Sequence, residues 1–142
     1  MSGVDECLSC RIASGQLDPP GGLLVATDRW TVNHRLPDPD AGHDWSGWLV
    51  LQPRRHMQCL SDLDPLERRE MAALVALVER RMAERMGSER LYVLSLGTRA
   101  TDHVHFHLIP VTGDPLPGLD ALSRAPFEMP REEFLTRLDL AV

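Results

Sequence analysis

The sequence predicts an α+β fold, an antiparallel sheet of about five strands packed on one long helix with a short helical segment at the N-terminus. Three observations carry this. Short apolar runs bounded by turn residues recur as strands do, and one long stretch keeps helical periodicity. No Gly-rich turn joins a strand to a helix, so neither a dinucleotide fold nor a P-loop is expected.

"DECLSCRIASG" reads as a short helix or turn ending at Gly15, and "QLDPPGG" as a loop. "LLVATD" and "WTVNH" meet at Asp28 and Arg29, which predicts a hairpin. "RLPDPDAGHDWSG" is the clearest loop, and "GWLVLQP" is a buried-type strand stopped by Pro53. The long helix runs from about Asp64 to Met86. Asp64 is its N-cap, Pro65 suits the first helical position, and Glu67 completes a capping box. Met71, Leu74, Val75, Val78, Met82 and Met86 form one apolar face, and Gly87 ends the helix. "RLYVLSL" and "HVHFHLIP" are two more strands, joined by "GTRATD". Residues 111–142 read as a Pro-rich C-terminal tail with a short helix at "REEFLTRLDL", and residues 1–142 as a single domain without repeats.

The net charge of −6 argues against a nucleic-acid coat or an acidic-membrane binder. No run approaches the roughly 20 apolar residues of a membrane span. "MSGVDECLSC" lacks the basic start and apolar stretch of a signal peptide, so a cytoplasmic location is the expectation. There Cys7, Cys10 and Cys59 are not expected to form disulfides, and their odd number agrees.

The chemistry concentrates in "DHVHFHLIPV". His103, His105 and His107 alternate with Val104, Phe106 and Leu108. On a strand the three imidazoles share one face, their α-carbons spaced by roughly 6.5 Å, while the apolar residues take the core face. The pattern admits a solvated strand face, a catalytic metal site with an open position, or nucleophilic catalysis. In the last, neutral imidazole attacks phosphorus and a neighbouring imidazole handles a proton. Cys7 and Cys10 form C-x-x-C with only six residues before it, which favours metal binding over a thioredoxin-like role. Two thiolates and two imidazoles make a closed, structural zinc site. His56 and one triad histidine are candidate partners.

These residues resemble the histidine-triad superfamily. "HVHFHLI" matches its His-φ-His-φ-His-φ-φ motif at every position, φ being apolar. "CLSCRI" is similar to the C-x-x-C-x-I start of many bacterial members. "WLVLQPRRH" followed by "LSDLDP" resembles their apolar strand, Pro-basic-basic-His and acidic helix start. The resemblance implies an α+β fold that usually dimerises, and hydrolysis or transfer at the α-phosphate of a nucleotide. Substrates of the dinucleoside polyphosphate or nucleoside phosphoramidate type are implied, with a nucleotidyl-histidine intermediate. By that resemblance His105 is the nucleophile, His107 contacts the phosphate or leaving group, and zinc takes Cys7, Cys10, His56 and His103.

The departures from the family pattern are local. "SLGTRATDH" is shorter than the usual phosphate-holding stretch before the triad and has no Gln or Asn, leaving Arg99 and Thr101 as phosphate donors. The second strand lacks the usual acidic ribose contact, with Asn33 or His34 as replacements. Gly47-Trp48 stands where many relatives have Gly-His, and Trp48 reads as core or site wall. Arg54 and Arg55 read as solvated, Cys59 as a small buried residue, His43 as a solvated loop residue, and Asp102 as solvating a loop end. Two other functions stay open: a nucleotide-binding or sensing protein with little turnover, and a zinc-water hydrolase with His103 and His105 as ligands.

Overall fold

Asp64 starts the long helix by satisfying donors that a helix leaves open at its N-terminus. Its carboxylate accepts from the Glu67 N–H at 2.8 Å, and the Glu67 carboxylate accepts from the Asp64 N–H at 2.9 Å. Helix α2 then runs Pro65–Met86 and stops at Gly87, whose φ of 68° suits a glycine cap. In the computed structural model, residues 6–96, 102–113 and 122–140 are described. Two shorter helices are α1 (Leu8–Ala13) and α3 (Arg131–Leu138).

Strands β1 (Leu23–Ala26), β2 (Trp30–His34), β3 (Leu49–Pro53), β4 (Arg90–Leu94) and β5 (Phe106–Val111) form one sheet. Its order is β1-β2-β3-β5-β4 and every pairing is antiparallel. Strand alternation then separates two environments. Trp30, Val32, Leu49, Leu51, Phe106 and Leu108 join Leu74, Val78, Met82 and Met86 of α2 in the main core. On the opposite side Asn33 pairs with Val50, and Val50 with His107, so three strands present one row of side chains. Helix α1 borders that row: Leu8, Ser9 and Ile12 line the same cleft as Asn33, Val50 and His107.

Four sequence expectations need correction. The last strand begins at Phe106, so His103 and His105 lie in the run that leads into it. There the Val104 N–H bonds to the Met57 carbonyl instead of a sheet partner. The expected tail contributes to the core through Phe127, Phe134, Leu138 and Leu140, all buried. Sequence composition hid this because its four apolar contacts are spread among Pro and charged residues. Arg54 and Arg55 are not simply solvated. Arg54 donates to the Thr27 and Ala13 carbonyls, tying the end of α1 to the sheet, while Arg55 grips Glu67 with two nitrogens at 3.0 and 2.9 Å. Cys59 is exposed, since it precedes a short surface turn at Leu60–Asp62.

Gly47 holds the loop before β3 to the C-terminal segment. Its φ is 98°, and a Cβ there would lie 2.4 Å from the Phe127 ring. Only glycine meets both demands.

Candidate functional site

Helix α1 opens immediately after Cys7, which places Cys7 and Cys10 on its first turn. His56 follows the end of β3, and His103 the approach to β5. Their donor atoms converge: Cys7, Cys10, His56 and His103 each offer one atom, all within 4.8 Å of one another. His103 Nδ1 lies 3.3 Å from Cys7 Sγ, 3.5 Å from Cys10 Sγ and 3.3 Å from His56 Nδ1, and Cys10 Sγ lies 3.3 Å from His56 Nδ1.

These separations fit a cation at the centre. Zinc bonds of about 2.0–2.1 Å to nitrogen and 2.3 Å to sulfur give tetrahedral edges of about 3.3 Å (N···N) and about 3.5 Å (N···S). A carbonyl oxygen can only accept, so the 2.8 Å contact from His103 Nε2 to the Pro53 carbonyl places the ring proton on Nε2. Nδ1 is thereby left as a ligand with its lone pair facing the thiols, and its ring is held by an outer hydrogen bond. Burial, then the hydrogen bond and charge of Cys7, push the Cys10 thiol up to about 12. Holding it as thiolate takes a positive charge at this point. The set Cys2His2 is closed and of structural type. His105 is not in the group. Among the described residues, no other cluster of three or more metal-ligating side chains is assembled.

His105 sits on the other side of this boundary. Its Nδ1 lies 2.9 Å from the main-chain carbonyl of His103, so Nδ1 carries the proton and Nε2 keeps its lone pair. His107 has the opposite arrangement. The Trp48 indole N–H donates to His107 Nδ1 at 2.9 Å, and an indole nitrogen can only donate. In the neutral ring the proton is therefore on Nε2. Burial, followed by the charges of His105 and Arg35, pushes His107 down to about 4. The two rings are 5.0 Å apart, close to perpendicular, and both line one cleft of about 320 Å³.

Arg35 lines the same cleft. Its N–H bonds the Trp48 carbonyl where β2 leaves the sheet. Its guanidinium lies 3.8 Å from the ring centre of Trp45 and 4.4 Å from that of Trp48. Trp45 reaches this position with φ of 57°, a left-handed conformation that a bulky side chain adopts at a cost. Its buried indole N–H has no partner among the described residues.

Asn33 also lines the cleft, buried, accepting from Gln52 Nε2 at 3.0 Å and donating to the His34 carbonyl at 2.8 Å. His34 faces the other way, because neighbours on a strand alternate. It packs edge-on against Phe134, accepts the Gly47 N–H at Nε2 and donates from Nδ1 to the Arg35 carbonyl. It is a buried structural histidine and does not replace a ribose contact. Arg99 and Thr101 lie outside the described residues. Asp102 is held by the Gln58 amide, and His43 packs edge-on against Trp45 at 4.2 Å. Sequence reasoning passed over Arg35, Gln52 and the hydrogen bond from Trp48. Strand alternation from Asn33 carries the signal for Arg35, two positions on.

Solved structures share the fold. A Zn-bound histidine triad family protein from Mycobacterium smegmatis superposes with a TM-score of 0.69 at 22% identity, covering 98% of this chain and 96% of that one. A hypothetical histidine triad nucleotide-binding protein from Sulfolobus tokodaii gives 0.64 at 18% identity, over 94% and 88%. A HIT family hydrolase from Legionella pneumophila gives 0.52 at 17%, over 79% and 96%. No family model matches the chain, and neither does any curated protein. The fold is that of the histidine-triad proteins.

Proposed function

We propose that this chain is a zinc-braced histidine-triad enzyme, a nucleotide hydrolase or nucleotidyl transferase acting at the α-phosphate through a nucleotidyl-histidine intermediate. The observation that carries the reading is the hydrogen bond from His105 Nδ1 to the His103 carbonyl, which leaves the Nε2 lone pair to attack. Likeness to a hypothetical histidine triad nucleotide-binding protein and to a HIT family hydrolase supports a nucleotide ligand and a hydrolytic reaction.

In the first step His105 Nε2 forms a bond to the α-phosphorus, and the bond from phosphorus to the leaving group breaks with its electron pair departing. His107 Nε2–H donates a hydrogen bond to a phosphate oxygen as charge develops there. Water or another acceptor then attacks, the N–P bond breaks, and its electron pair returns to His105. With water the products are a nucleoside monophosphate and the released proton. Cys7, Cys10, His56 and His103 would hold zinc, which would supply rigidity there and not an open coordination position. His103, braced in that set, orients His105 through its carbonyl.

The test is mass spectrometry of the zinc-loaded protein mixed rapidly with a panel of adenylylated and guanylylated compounds. A covalent nucleotidyl adduct on the wild type, absent in His105→Ala with zinc retained, is the expected result. Full turnover in His105→Ala would sink the assignment. Nucleotide binding with neither adduct nor turnover in the wild type would mark a sensing protein instead.

A further inference from the structure

Arg35 is a half-buried cation on which Asp38, its opposing charge, acts from beyond ion-pair distance. Among the described residues its guanidinium forms no ion pair. Burial lowers its pKa and Asp38, on the same cleft, partly opposes that, yet a guanidinium stays protonated. A buried charge is costly unless it is paired. Trp45 and Trp48, their planes at 82° to each other, hold the guanidinium by cation–π contact, and among the described residues its N–H groups, the fork that suits phosphate oxygens, have no hydrogen-bond partner. Trp48 carries this cation on its face and His107 on its N–H. The unpaired charge therefore stands one indole away from the imidazole at the leaving-group side.

A second observation points the same way. Trp48 occupies Nδ1 of His107 and cannot accept a proton, so His107 can donate a hydrogen bond but is poorly placed to deliver a proton. An amine leaving group needs that proton. A phosphate leaving group does not, because it departs as a stable anion.

We infer that Arg35 binds a second phosphate of the substrate, the one that leaves, so that the cleft selects phosphoanhydrides over nucleoside phosphoramidates. This rests on the cleft being the nucleotide site proposed above. Arg35 contributes the recognition that the short loop before the triad, without Gln or Asn, does not supply in the usual form.

Calorimetry on the zinc-loaded full chain tests the site without requiring turnover. AMP, ADP, adenosine 3′,5′-bisphosphate and their guanosine counterparts are titrated into the wild type, Arg35→Gln and Arg35→Lys. The wild type should bind the 5′-diphosphate about tenfold or more tighter than the monophosphate, the factor expected of one charge-assisted hydrogen bond. Arg35→Gln should erase that difference while leaving monophosphate affinity within about threefold, and Arg35→Lys should keep part of it. No diphosphate preference with either base would overturn the inference, as would a preference that survives in Arg35→Gln. Tighter binding of the 3′,5′-bisphosphate alone would also overturn it, since the second phosphate would then sit on the sugar. Equal loss of monophosphate binding in Arg35→Gln would make Arg35 a ligand of the attacked phosphate and reject the assignment. Failure to form an adduct would count against the reaction, whereas these affinities report on Arg35 alone.

Discussion

The metal cluster and the cleft share one five-residue run, yet they are built on opposite principles. The cluster turns four donors inward on a single point, and His103 is nearly inaccessible. The cleft directs two imidazoles and a guanidinium at open space. The difference does not come from the histidines themselves. It comes from what holds each ring: the Pro53 carbonyl for His103, the His103 carbonyl for His105, and the Trp48 indole for His107. Two carbonyl acceptors and one donor give three identical side chains different free atoms: Nδ1 of His103 toward the thiols, the Nε2 lone pair of His105, and the Nε2–H of His107.

The sharpest way to break this comparison is to remove one member of each region. His105→Ala should lower turnover by at least about a thousandfold while zinc content and thermal midpoint hold. Cys10→Ser should do the reverse in order: zinc is lost first, and the midpoint falls by about 10 °C or more, the equivalent of about 3 kcal/mol in a domain of this size. Elemental analysis and calorimetry on both variants decide it. If His105→Ala also released zinc, the two regions would be one site.

Trp48→Phe comes next. It keeps the ring under Arg35 but deletes the N–H, freeing His107 to take either tautomer. We expect kcat to fall about ten- to a hundredfold, the range for losing an orienting partner, with zinc content unchanged. Equal activity in Trp48→Phe would return Trp48 to the role of a wall.

The same contrast explains how much was legible in the sequence. The C-x-x-C spacing of Cys7 and Cys10 points to metal by itself, whereas spacing could not choose the histidines, and it was the family resemblance that implied His56 and His103 before their convergence was seen. The long helix was equally readable, since its cap, its apolar period and its terminal glycine all agree. The cleft was not. Asn33 was named, but Arg35 and Gln52 are common residue types whose role comes from strand alternation and from two tryptophans in a loop. Trp48 acts through a single N–H, which no spacing rule encodes. The C-terminal segment was misread because burial of Phe127 and Phe134 is set by tertiary packing, here against Gly47 and α2.

That packing gives a smaller effect to look for. Gly47→Ala places a methyl group into the Phe127 ring at a φ that disfavours alanine, and should cost about 2–3 kcal/mol in denaturant unfolding. The loss should fall on the loop that carries Trp45 and Trp48, so kcat should drop with zinc retained.

The smallest effect concerns His34, which pins that loop from the core side. Its Nε2 accepts the Gly47 N–H, an acceptor that protonation removes. Burial is the main reason its pKa lies below 6.5, with Arg131 adding to that shift, while the hydrogen bond to the Arg35 carbonyl and the charges of Asp44 and Glu132 oppose it. The unfolded chain, with an ordinary histidine pKa, therefore binds more protons than the folded one just below 6.5. Stability rises with pH across that window and is lost as pH falls through it. The zinc ligands also take up protons in acid, but they are common to wild type and variant and cancel in a difference. Thermal midpoints of the wild type and His34→Gln should thus diverge between neutral pH and pH 5, with the wild type showing the steeper fall. Parallel curves would mean that His34 binds its proton in the fold as readily as in the unfolded chain, so that neither burial nor the Gly47 N–H disfavours its charged form.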